Sequence, residues 1–269
     1  MQKSRVFLLF ALALVPAACG TSSADVLDEP ASNAGPPPDI DYLQTPTQGF
    51  GFVQLQLSRD NQIIALRTIL TVPAPPTTQG TLFISPGLQP GGANFDPIDN
   101  GVLEPVLTWG PSCAPGSLAS PATAWWISGQ YVNTYGNDAG YTGCHGGDGM
   151  SVEVGDPLSI HLSLNGTVWS QSIEDLRDGS VVSFDLDMQG QAQNFAHFWL
   201  NPASAEPVED AIFSATTVTF AQAEASACTP IQRGKNDFFS NPSPSADGTQ
   251  CSIDRIVLRA QGVAATTQN

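Results

Sequence analysis

Ser159-Ile160-His161-Leu162-Ser163-Leu164 alternates polar and apolar side chains one by one, and Val182-Ser183-Phe184-Asp185-Leu186 repeats the pattern. A period of two sends successive side chains to opposite faces of a strand, one dry and one wet. Working outward, further strand signals recur at Phe52 to Leu57, Ile63 to Val72, Thr81 to Ile84, Val102 to Trp109, Ala124 to Val132, Phe195 to Leu200, Ile212 to Phe220 and Ile253 to Leu258. Gly, Pro, Asn and Asp clusters separate them. Short strands at regular spacing with turn chemistry between them predict an all-β sandwich or jelly roll. No stretch sustains a helical period, an internal repeat or a coiled-coil seam.

Composition agrees. Of 269 residues, 25 are Gly and 22 Pro, and 13% are charged, about half the usual share. The formal net charge of -16 repels phosphate backbones, which proteins bind through Lys and Arg; no nucleic-acid partner is expected.

The N-terminus reads as an export signal. Lys3 and Arg5 precede an apolar run from Val6 to Val15, too short for a membrane span. Ala17-Ala18-Cys19-Gly20 resembles a lipobox with Cys19 as the acylated residue, although Pro16 stands where an aliphatic residue is usual; the alternative is an ordinary cleavage nearby with Cys19 incidental. The expected layout is a signal peptide at 1–18, a lipid-anchored flexible linker at 19–44 rich in Ser, Pro and Gly, a β-sandwich domain at 45–262 and a disordered tail at 263–269. Removing the signal leaves a still more acidic chain with seven basic residues. The expected location is a bacterial cell envelope, lipid-anchored at the outer membrane, or the secreted medium, with the lipid as the membrane contact.

Of the five cysteines, Cys19 taken by lipid leaves four. Three pairings of these are open. Sequential pairing, Cys113 with Cys144 and Cys228 with Cys251, is preferred because each bridge closes a moderate loop within one region.

No phosphate loop, dinucleotide fingerprint or hydrolase elbow is present. The three histidines, His145, His161 and His197, are far apart, and no metal site or cofactor is expected. Asp96-Pro97-Ile98-Asp99-Asn100 lacks EF-hand spacing and reads as a turn before it reads as a calcium loop.

The order of motifs carries more. Thr81-Leu82-Phe83-Ile84-Ser85-Pro86-Gly87 is followed by Val102-Leu103-Glu104-Pro105-Val106-Leu107, Ala124-Trp125-Trp126-Ile127, Val152-Glu153-Val154-Gly155-Asp156, and Phe195-Ala196-His197-Phe198-Trp199-Leu200. This order resembles the eqolisins, the glutamic endopeptidases, over about half the chain. The resemblance implies a concanavalin A-like β sandwich. It also implies a glutamine and a glutamate on neighbouring strands of a concave sheet, activating water at acid pH. The family's glutamine falls on Glu104. Its glutamate falls on His197, or on Phe198 if the tryptophans are matched, so neither position keeps the family's residue.

Two functions follow as expectations. One is a binding module whose concave groove, lined by Phe195, Trp199, Trp125, Trp126 and Tyr131, holds a polysaccharide or a peptide. The other is an acid-acting hydrolase, an eqolisin-like endopeptidase with Glu104 and His197 as an altered catalytic pair. Each residue also has a bland reading: Glu104 paired or solvated, His197 a satisfied core residue, the tryptophans core, His161 facing water.

Overall fold

Antiparallel pairing sorts the strands of this chain into two sheets. The computed structural model describes residues 51–90, 101–113, 123–133, 143–232 and 237–260. The signal peptide, Cys19, the linker, the Asp96–Asn100 cluster and the tail lie outside these residues.

In chain order the strands are β1 (Gly51–Gln56), β2 (Ile63–Thr71), β3 (Leu82–Gln89), β4 (Val102–Trp109), β5 (Trp125–Asn133), β6 (Gly143–Gly146), β7 (Met150–Ser151), β8 (Pro157–Asn165), β9 (Val168–Asp175), β10 (Val181–Asp187), β11 (Phe195–Asn201), β12 (Ala211–Phe220), β13 (Ile231–Gln232), β14 (Phe238–Ser240), β15 (Ser243–Pro244) and β16 (Gln250–Leu258). The first sheet runs β13-β1-β11-β3-β4-β5-β6, with β7 on β5; the second runs β10-β9-β8-β2-β12-β16-β14, with β15 on β16. The molecule is the expected β sandwich.

Alternation builds the core. Val53, Leu55, Ile84, Leu88, Leu103, Leu107, Ile127, Phe198 and Leu200 turn inward from the first sheet, and Leu66, Leu70, Leu158, Ile160, Leu162, Phe213, Val218 and Ile256 meet them from the second. Phe198 and Phe213 cross edge-to-face at 5.1 Å. Burying such a side chain contributes about 1.5–3 kcal/mol.

Both expected disulfides form, Cys113–Cys144 and Cys228–Cys251, with Cα separations of 5.8 and 5.1 Å. The second fastens Cys228 to β16. Such bridges are compatible with an oxidising compartment.

Two features position the site. At Gly129 the sheets pinch together: a Cβ there would lie 2.8 Å from the Cβ of Phe184. Beside it the buried Gln171 amide reaches across from β9, accepting from the Gln130 N–H at 3.1 Å and donating to the Gln130 carbonyl at 2.7 Å. The second feature is a break between the central strands β3 and β4. Their pairing skips from Ile84↔Leu107 to Leu88↔Leu103, and that register puts Pro86 opposite Pro105. Neither proline has an N–H to give.

Candidate functional site

The inward turn of one set of side chains on the first sheet leaves the other set on its outer face, and there the pairing registers lay out rows. Gln54 on β1 faces His197 on β11, which faces Gly87 on β3. The β3–β4 register continues the row to Glu104, and Glu104 pairs with Gln130 on β5. The row therefore reads Gln54, His197, Gly87, Glu104, Gln130. On one side of it lie Phe52, Trp199 and Ser85; on the other, Phe195 and Gln89.

This face is polar yet dry. Gln54, His197, Glu104 and Gln130 are 3%, 0%, 7% and 2% exposed. Desolvation disfavours charge. Burial pushes the Glu104 carboxyl up to about 7, against a smaller opposing effect from the Ser85 hydroxyl, which donates to it at 2.8 Å. Burial likewise pushes the His197 imidazole down to about 3. Near neutrality the row thus holds a carboxyl poised between its two forms and a neutral imidazole able to donate from one nitrogen and accept at the other.

His197 sits among rings. Phe52 stacks on it at 6.1 Å, Trp199 meets it edge-on at 6.0 Å and Phe195 at 6.3 Å. Its ring occupies the space above Gly87 where a side chain would stand, since a Cβ built there would overlap Nε2 and Cε1. Glycine at this one position lets the imidazole lean over β3 in the direction of β4.

The structure thus brings Glu104 and His197 to one row of one face, with a single strand between them. Phe195 and Trp199 share that face, as does Trp126, whose indole N–H donates to the Gly110 carbonyl at 3.0 Å. Trp125 and Tyr131 are corrected: both turn inward and belong to the core between the sheets. Odd positions of β5 face the partner sheet and even ones face out, so two adjacent tryptophans cannot line one groove. The face is also buried where an open aromatic groove was expected: Phe52, Phe195 and His197 are covered, and Trp199 is half-buried. A depression of about 280 Å³ lies instead on the outer face of the second sheet, among Arg67, His161, Ser172 and Glu174. There His161, half-buried beside Arg67, is pushed below its usual range by burial and by that cation.

Sequence reasoning missed Gln54, Ser85, Gly87, Gln89 and Gln130. Their signal was faint but present: each falls on the outward parity of its strand, the parity Glu104 and His197 set.

No family model matches the chain, and no curated protein matches it. Among solved structures it is similar to Scytalido-glutamic peptidase bound to a peptide-based transition state analogue, at 13% identity over 77% of this chain and 97% of that one, with a TM-score of 0.49. It is also similar to SCP-B, an eqolisin in complex with the tripeptide Ala-Ile-His, at 12% identity over 77% and 97%, with a TM-score of 0.44. One is a glutamic peptidase and the other a member of the eqolisin family of peptidases.

Proposed function

We propose that this chain is a peptide hydrolase in which Glu104 exchanges the proton of the attacking water. The observation that carries the reading is the placement of Glu104: a buried carboxyl, bonded by Ser85, in one row with His197 and Gln130. Perturbed carboxyls in polar clusters are where acid–base chemistry concentrates. In the cycle, ionised Glu104 takes a proton from water as the water oxygen bonds to the scissile carbonyl carbon. Neutral donors, the Gln130 amide and the His197 N–H, meet the oxyanion that develops. Protonated Glu104 then returns its proton to the leaving amine as the C–N bond breaks.

The first step needs Glu104 ionised, which burial delays to about pH 7. Cleavage therefore rises through neutrality, whereas the resemblance implied work at acid pH. The test is cleavage of a mixed peptide library from pH 3 to 9 by the mature chain and by Glu104→Gln. Turnover rising near pH 7 and lost in the variant is expected; no turnover, or equal turnover in the variant, ends the hydrolase reading.

The aromatic rings of Phe52, Phe195, Trp199 and Trp126 on the same face favour a second reading, an anchored module that binds a polysaccharide or peptide without cutting it. Binding without turnover in the same experiment would select it. In either case we infer export and acylation of Cys19, with which the disulfides are compatible. Mass spectrometry of the mature N-terminus decides this: a Cys19 peptide without lipid removes the anchor.

A further inference from the structure

Gln89 ends β3 on the outer face, two residues beyond Gly87. It is 0% exposed, and among the described residues neither its Nε2 nor its Oε1 has a hydrogen-bond partner. Its register neighbours offer none: Phe195 faces it from β11, and the β3–β4 register sets Val102 on its other side. The same face holds two more buried atoms without partners, Trp199 Nε1 and Thr108 Oγ1. A primary amide left unmet in a dry position destabilises the fold, and an apolar side chain of the same shape would not. For stability alone, glutamine is the wrong residue there.

We propose that Gln89 is a ligand-positioning residue that holds the backbone of an extended polypeptide by a pair of hydrogen bonds and lays it along β3 toward Glu104. The inference rests on the reading of this face as a peptide site. In an extended chain the N–H and C=O of one residue point to the same side, as they do in an antiparallel ladder. The adjacent donor and acceptor of an amide match that pair. Vicinal hydroxyls fixed on a sugar ring can span the same amide, which is why a neutral oligosaccharide is the competing ligand in the test. Gln89 and Gly87 are two residues apart, about 6.8 Å along a strand, which is also the two-residue repeat of an extended ligand. A backbone held at Gln89 thus brings the peptide group one repeat further on to the row that contains Glu104.

The test uses the mature chain carrying Gln89→Met and, separately, Gln89→Leu, each alone and combined with Glu104→Gln so that binding is read without turnover. β-Casein serves as the unstructured polypeptide and cellohexaose as the neutral oligosaccharide. Without ligand, both single variants should melt higher by about 2–4 °C. The Kd for β-casein should rise at least tenfold in the combined variants, relative to Glu104→Gln alone. A lower or unchanged melting point, failure of both variants to fold, or an unchanged Kd overturns the proposal. So does binding of cellohexaose in place of casein. Casein cleavage with an unchanged KM in Gln89→Met removes this role and leaves that of Glu104 standing. Casein binding that depends on Gln89 without any wild-type cleavage keeps this role and removes the hydrolase.

Discussion

Replacing Glu104 by glutamine should make the protein more stable at alkaline pH while abolishing its chemistry. The carboxyl is raised from 4.5 to about 7, a difference worth about 3 kcal/mol between its two protonation states. The folded state holds this proton more tightly than the unfolded chain, so the contribution of Glu104 is fully present below pH 4.5 and is lost as pH rises through 7. Glutamine has the shape of the protonated acid, carries no charge and still offers an oxygen to the Ser85 hydroxyl. Below pH 4.5 the variant and the wild type should therefore be equally stable, and above pH 7 the variant should lead by about 3 kcal/mol. His197 supplies a second signature. Its imidazole is lowered to about 3, so its contribution is present above pH 6.5 and is lost as pH falls toward 3. Between pH 4.5 and 6.5 the folded state carries one proton on Glu104 while the unfolded chain carries one on His197, and the two slopes cancel. Without Glu104 the histidine slope emerges, about 1.4 kcal/mol per pH unit at most. Urea unfolding at half-unit steps from pH 4 to 8 measures both effects from the midpoint and slope. A gap between variant and wild type that is constant with pH, or a wild type that is the more stable at pH 8, refutes the assignment of a buried, uncompensated carboxyl.

Gly87→Ala puts a methyl group into the His197 ring and should cost about 1–3 kcal/mol by overpacking, with cleavage lost; urea midpoints and turnover check it. Arg177→Ala withdraws the guanidinium that contacts Asp156 at 3.2 Å and Asp175 at 3.6 Å, leaving two buried carboxylates short of their cation. The expected outcome is a lower urea midpoint than the wild type's, since removing one partner leaves buried carboxylates uncompensated; an unchanged midpoint would show these pairs to be of no more consequence than exposed ones. Replacing Cys228 and Cys251 together by serine opens a bridge spanning 23 residues and should lower stability by about 3 kcal/mol, read as a drop in thermal midpoint under non-reducing conditions.

How far the sequence was legible depended on whether alternation was pure. β8 and β10 were plain because their polar and apolar residues strictly interleave. β9 does not read as a strand, because Gln171 and Asp175 occupy inward positions and break the hydrophobic period; Asp175 is met by Arg177 two residues on, but Gln171 is met by the Gln130 backbone of the other sheet, which no local window contains. β3 was read as ending at Ile84, since Pro86 and Gly87 are strand breakers, yet it continues to Gln89. Glu104 and His197 are legible through the resemblance, which sets the eqolisin glutamine on one and the glutamate on the other. The amides around them are not, because a glutamine on an outward position reads as solvated, and that this outer face is dry is a property of the assembled sandwich.

Several departures from what a stable sandwich prefers fall between Pro86 and Gln89 of β3 and on the β4 residues beside them. Two prolines oppose each other between central strands, where they interrupt the ladder. A glycine inside β3 leaves its side-chain space to an imidazole. Among the described residues a carboxyl is buried without a cation, and an amide is buried without a partner. Each costs stability on its own; the second sheet has departures too, with Gln171 and Asp175 turned inward on β9 and a register break between Ser214 and Thr217 on β12, but they lie on different strands. The coincidence of the former around Glu104 is the pattern expected if that point carries the proposed chemistry, because local rules tend to be broken together at functional sites.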